Sequence, residues 1–114
     1  ALAATDVPGI MYHGRYIEVA ERARTNWSKD IPIPDGDMGF VVREINIKYR
    51  APLMLADDFI VKTKPIKIGT ASVVIEQIFV KDDKICAIMN ITIAYLGEDK
   101  HPKAIPESIV SALS

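Results

Sequence analysis

This sequence is poor in the residues that most directly announce chemistry. Its 114 residues include one cysteine, Cys86, and two histidines, His13 and His101. A single cysteine excludes an internal disulfide and suits a reducing compartment. Cys86 lies in an apolar, alternating segment, which reads as a buried structural thiol rather than a nucleophile. The two histidines stand in no ligand spacing with acids or with the cysteine, so no metal site is expected. Among only six glycines there is no phosphate-cradling loop and no G-x-S-x-G elbow. No apolar run approaches the roughly 20 residues that span a bilayer. The opening ALAATD has neither the basic region nor the length of a signal peptide, and the cytoplasm is the expected location. With a net charge of −1, no whole-protein field favours nucleic acid or an anionic membrane.

What is present is an ordinary globular composition, 49% hydrophobic and 25% charged, in a length that suits one domain over residues 1–114. The most patterned stretch is Thr5 to Arg24, TDVPGIMYHGRYIEVAERAR. Tyr16, Ala20, Ala23 and Trp27 recur at the spacing of a buried helix face, widened by Ile17 and Val19. Arg15, Glu18, Glu21, Arg22 and Arg24 are assigned to the opposite, charged face. Glu18 and Arg22 stand one turn apart and can pair, worth roughly a few tenths of a kcal/mol. Pro8-Gly9 is a turn signal, so the chain bends between Asp6 and a helix that begins about one residue past Tyr12.

After this helix, Ser28 to Gly39 (SKDIPIPDGDMG) reads as an irregular loop, either a flap over a pocket or a plain connector. From Phe40 the period changes to two. Ile45, Ile47 and Tyr49 alternate with polar residues up to Pro52. Phe59 to Lys67 is a second strand, with Pro65 signalling an edge or a bulge. Ala71 to Val80 and Ile85 to Leu96 are the third and fourth, joined by a tight hairpin at Lys81-Asp82-Asp83-Lys84. Residues 1–5 read as the end of a first strand, which is either short or entered late by this chain, and Glu107 to Leu113 is a short amphipathic segment. One helix and four long strands predict an α+β fold with an antiparallel sheet packed on the helix.

An acid on a loop before a helix N-terminus has a chemical meaning. The first turn presents unpaired N–H groups and roughly half a positive charge, which can polarise a carbonyl or hold an oxyanion. A carboxylate beside it can attack an ester or thioester, or activate a water. The residues Asp6, Gly9, Tyr12-His13, Tyr16 and the Glu21-Arg22-Ala23-Arg24 run resemble the D-x-x-G-x-x-Y-H-x-x-Y signature and following helix of the hotdog-fold acyl-CoA thioesterases. The resemblance is to the subgroup of 4-hydroxybenzoyl-CoA thioesterase and its short-chain bacterial relatives. It extends to Tyr49-Arg50-Ala51-Pro52 with Asp58, to Gly69-Thr70-Ala71-Ser72, to Gln77 and to Pro102 through Glu107, so it covers almost the whole chain.

The resemblance implies a hotdog fold, an antiparallel sheet wrapped around one long helix, and hydrolysis of an acyl-CoA thioester without a cofactor. It implies Asp6 as nucleophile or general base. It places His13 where it would bond the substrate carbonyl or orient the acid, with packing or helix capping as the plainer alternatives. Gly9, Tyr12, Gly14, Tyr16 and Ser72 are the expected substrate-binding residues: Tyr12 as a pocket wall, Gly14 as an opening for the acyl group, Ser72 as either a lining residue or an ordinary strand serine. Glu21 reads as a structural ion-pair partner. Coenzyme A would rest on scattered cations, Lys48, Arg50, Lys62, Lys64 and Lys67, which read equally as a solvated face. The resembling proteins are dimers or tetramers, including homotetramers, with acyl sites between subunits. Two other functions fit the fold: a dehydratase or thioesterase acting on acyl-carrier protein, and a non-catalytic acyl-binding module.

Overall fold

A computed structural model describes residues 10–114. The elements, in chain order, are α1 (His13–Ser28), β1 (Gly39–Tyr49), β2 (Ile60–Ile68), β3 (Ser72–Lys81), β4 (Lys84–Leu96) and α2 (Glu107–Leu113). The four strands form one antiparallel sheet in the order β1-β4-β3-β2. The residues read as the end of a first strand, 1–5, lie outside those described.

The alternation read from the sequence is the alternation that buries. In β3, Val73, Ile75, Gln77 and Phe79 face inward and are buried, as are Ala87, Met89, Ile91 and Ile93 in β4. Across the sheet these residues line up in rows, Tyr49–Ala87–Phe79–Val61 at one end and Val42–Ile93–Val73–Ile68 at the other. Helix α1 lies on this face with Tyr16 and Ala20 in the core. The result is the expected α+β hotdog arrangement, with the sheet around a 16-residue helix.

Two local signals worked as their chemistry requires. Pro65 cannot donate to a ladder, and it sits on β2, an edge strand among the described residues, where the register slips between Pro65 and Lys67. The β3–β4 hairpin turns on Asp82 and Asp83 at φ of 49° and 62°, the doubly left-handed pair of a type I′ turn. Cys86 is buried.

One expectation is corrected. Arg24 does not lie on the charged face of α1: it is buried, 9% exposed, and its Nη1 donates to Gln77 Oε1 at 2.9 Å. Counting by fours from Tyr16 through Ala20 reaches position 24, so the buried stripe passes through the arginine. Inward-facing Gln77 supplies the acceptor that makes this tolerable. Ala23 and Trp27 are only half-buried as a consequence.

The 28–39 loop is tied down. Asp37 accepts from the Tyr95 hydroxyl at 2.6 Å and from Lys103 Nζ at 2.9 Å, and the Met38 N–H donates to the Leu96 carbonyl. These bonds favour the connector reading over the flap. Burial and the bond to Asp37 push the Tyr95 phenol up to about 12. The same hydroxyl, followed by Lys103, holds the Asp37 carboxyl below the usual carboxylate range.

Candidate active site at the helix N-terminus

Tyr12 is the N-cap of α1 with extended backbone, and its side chain makes no capping bond. Its carbonyl accepts from the Arg15 and Tyr16 N–H groups. No acid stands in the first turn, so the positive end of the helix dipole is uncompensated there by the helix itself. The chain reaches this point in a fixed path, since the Met11 N–H donates to the Leu53 carbonyl at 2.8 Å and Ile10 bridges Met54.

His13, the first residue of the helix, does not cap it. Its Nδ1 shares a 2.6 Å hydrogen bond with the hydroxyl of Tyr49, the last residue of β1. With the Tyr49 hydroxyl donating, the imidazole proton sits on Nε2 and that N–H is left to donate elsewhere. Burial pushes the Tyr49 phenol up, which keeps it a neutral donor. Tyr16 packs edge-on against Tyr49, with ring centroids 5.1 Å apart, and against Phe79 at 5.2 Å. That aromatic stack fixes the height of Tyr49 over the helix start. Burial also raises the Tyr16 phenol, partly offset by the Leu53 backbone.

These residues wall a cleft of about 460 Å³, lined by Ile10, Met11, His13, Tyr16, Tyr49, Arg50, Ala51 and Pro52. The volume suits a small ligand, and the walls are mostly apolar with a few convergent polar groups. Such a surface can desolvate an acyl group while the imidazole and helix N–H groups face its carbonyl. Arg50, exposed at the rim, is the one cation among the lining residues.

Of the residues singled out in the sequence, the structure brings His13 and Tyr16 together in this cleft. Asp6 and Gly9 lie outside the described residues. Tyr12 is half-exposed and not a wall of the cleft; instead its ring covers Gly14, where an added Cβ would come within 2.8 Å of Tyr12 Cε2. Approach of an acyl group at Gly14 therefore requires the Tyr12 ring to swing aside. Ser72 begins β3, seven residues and about 23 Å along the strand from Phe79, the residue that Tyr16 packs against, and it is not among the lining residues of the cleft. Glu21 forms no ion pair among the described residues, although its charge acts on Arg24. Asp57 serves its turn, accepting the Met54 N–H at 2.8 Å and pairing with Lys81. Tyr49 was missed as the partner of His13. Its place in the Tyr49-Arg50-Ala51-Pro52 run was the only signal, and no spacing rule links residues 36 apart.

Comparison with known proteins places the chain in a family. An acyl-CoA thioesterase YbgC from Haemophilus influenzae is 28% identical over 116 residues, covering 95% of this chain and 85% of the relative. The acyl-CoA thioester hydrolase YbgC of Escherichia coli O157:H7 is 29% identical over 115 residues, covering 94% and 85%. Among solved structures, the BH1999 gentisyl-coenzyme A thioesterase superposes with a TM-score of 0.81 at 22% identity, covering 98% of this chain and 93% of that one, which supports the fold. The profile of the thioesterase-like superfamily matches residues 1–113, and the chain belongs to that superfamily.

Proposed function

We propose that this protein hydrolyses an acyl-CoA thioester to the free acid and coenzyme A, at the cleft before α1. The observation that carries this reading is the His13–Tyr49 pair, set at an uncapped helix N-terminus inside an apolar cleft. The acyl-CoA substrate is taken from the relatives, which are named for that reaction.

In this reading the acyl group lies against Tyr16, Met11 and Pro52. The thioester oxygen faces the first N–H groups of α1 and the free Nε2–H of His13. The helix backbone and the Tyr49 bond hold those donors before substrate arrives, so that once the Tyr12 ring swings off Gly14 they stabilise the developing oxyanion. Asp6 takes a proton from a water that attacks the carbonyl carbon, or attacks that carbon itself to give an anhydride that water then hydrolyses; in either route the thiolate of coenzyme A departs and takes up a proton. Arg50 at the rim is the cation nearest a departing phosphate-bearing group. The protein acts in the cytoplasm as a homo-oligomer, a dimer or tetramer with the site between subunits. Edge strand β1 carries the exposed apolar side chains of Val42 and Tyr49, which a second chain would cover.

The test is thioester hydrolysis over short, medium and aromatic acyl-CoAs, read by release of free thiol, with wild type and Asp6→Asn. A fall of about a hundredfold or more in the variant supports the mechanism. Equal activity in both proteins removes Asp6 from it. No turnover of any acyl-CoA, with turnover of acyl-carrier-protein thioesters, transfers the reaction to the other donor.

A further inference from the structure

A second cavity, of about 490 Å³, opens at the other end of α1, between the helix, the 28–39 loop and the start of β1. Its walls are largely apolar or aromatic, with Trp27, Phe40, Ile75 and Ile93 among them. One wall is the side chain of Arg24, nine-tenths buried.

Arg24 is an unusual wall. A guanidinium carries five N–H donors, and here one bond is made, from Nη1 to Gln77 Oε1. No carboxylate lies within ion-pair distance of it among the described residues. Gln77 is itself fully buried and fixed, donating from Nε2 to the Ala20 carbonyl at 2.9 Å and to Thr63 Oγ1 at 3.1 Å. The guanidinium is thus held in one orientation by a neutral acceptor, and its remaining donors make no hydrogen bond among the described residues. Burial pushes its pKa down, and the charge of Glu21 offsets only part of that. The one acid on the cavity wall, Glu21, is exposed.

We propose that this cavity binds a monocarboxylate with an apolar or aromatic body, its carboxylate on Arg24 and its body against Trp27 and Phe40. A planar guanidinium matches a carboxylate in two parallel bonds, and the apolar walls cover the remainder of the molecule. The site lies 11 residues along α1 from His13, about 16 Å away. The acids that thioester hydrolysis releases belong to this chemical class, but the inference stands on Arg24 and its cavity and requires no turnover.

Trp27 is the only tryptophan in the chain and lines this cavity, so its fluorescence reports occupancy. Wild type is titrated with octanoate and, as the uncharged twin, octanamide. Octanoate binds about tenfold or more tighter, the order expected of one desolvated charge-assisted contact. Arg24→Met abolishes the difference between the two probes. Glu21→Gln, altered at an exposed position, tightens octanoate binding about twofold or more by removing the opposing charge. Tyr49→Phe, altered at the other cleft, keeps the full octanoate response. Equal affinity of wild type for the two probes overturns the proposal, as does absence of a Trp27 response to octanoate. If Arg24→Met does not fold, the probe pair and Glu21→Gln decide alone: octanoate binding that is unchanged or weaker in Glu21→Gln overturns it.

Discussion

Replacing Gln77 by leucine tests whether the buried polar contact between α1 and the sheet holds the two together. The substitution keeps the size of the side chain and removes three hydrogen bonds, those with Arg24, Ala20 and Thr63. The losses are unequal. The Ala20 carbonyl retains its partner within the helix, and the Thr63 hydroxyl can turn. The Arg24 guanidinium loses its only acceptor among the described residues, and a buried hydrogen bond to a charged group is worth about 1.5–3 kcal/mol. Added burial of apolar leucine offsets part of that, leaving a net cost of about 2 kcal/mol. At about 4 °C per kcal/mol for a chain of this size, the melting temperature falls by about 8 °C. The assay is denaturant unfolding at one fixed protein concentration, since self-association would otherwise enter the result. The decisive comparison is with Arg24→Met and the double variant. Removing both partners leaves no uncompensated charge, so the double variant is more stable than the sum of the singles predicts, by about 1 kcal/mol or more. A Gln77→Leu protein within about 0.5 kcal/mol of wild type, or strict additivity, refutes the argument.

The remaining predictions concern the cleft, the loop and the hairpin. Tyr49→Phe frees the His13 ring and lowers kcat/KM for acyl-CoA hydrolysis by about tenfold with the fold intact, checked by steady-state kinetics and circular dichroism. The Asp37–Tyr95–Lys103 contact makes stability depend on pH at both extremes. Because the Asp37 carboxyl is lowered in the fold, its contribution is present above the ordinary carboxylate range and is lost as pH falls through the folded value. Because the Tyr95 phenol is raised to about 12, its contribution is present below about pH 10 and is lost as pH rises from there toward 12. Asp37→Asn therefore flattens the acid limb of a melting-temperature profile, and Tyr95→Phe flattens the alkaline limb. Replacing Asp82-Asp83 by Asn-Gly at φ of 49° and 62° raises stability by about 0.5–1 kcal/mol, read from the unfolding midpoint.

Most of the fold was legible because its signals are local. The helix start past Tyr12, the alternation of β3 and β4, the edge proline and the two-residue turn each follow from residues within a few positions of one another. Arg24 was misplaced because hydrophobicity alone was used to draw the helix stripe. A charged residue at the right spacing enters a core only if something across the interface receives it, and the receiver, Gln77, lies 53 residues away. Tyr49 escaped for the same reason, since its link to His13 depends on where β1 ends relative to the helix. A polar glutamine in an otherwise apolar inward row was the one signal that could have pointed to a buried partner.

That glutamine also explains how the two ends of α1 are set. Along the helix, Tyr16 meets Phe79 and Ala20 meets Gln77, while Ile75 walls the cavity that Arg24 opens onto. Four helical residues rise about 6 Å and two strand residues about 6.7 Å, so the helix and β3 stay nearly in step over these turns. Apolar contacts alone would tolerate sliding of one along the other, because they have no direction. The bonds of Gln77 do have direction, and the two that reach α1, with Arg24 and with the Ala20 carbonyl, fix the axial position of the helix against the sheet. That position determines whether His13 Nδ1 reaches the Tyr49 hydroxyl at 2.6 Å, a distance at which a slip of one ångström breaks the bond. The buried polar contact in the middle of the helix is therefore what makes the His13–Tyr49 pair at one end and the arginine-walled cavity at the other compatible with a single packing.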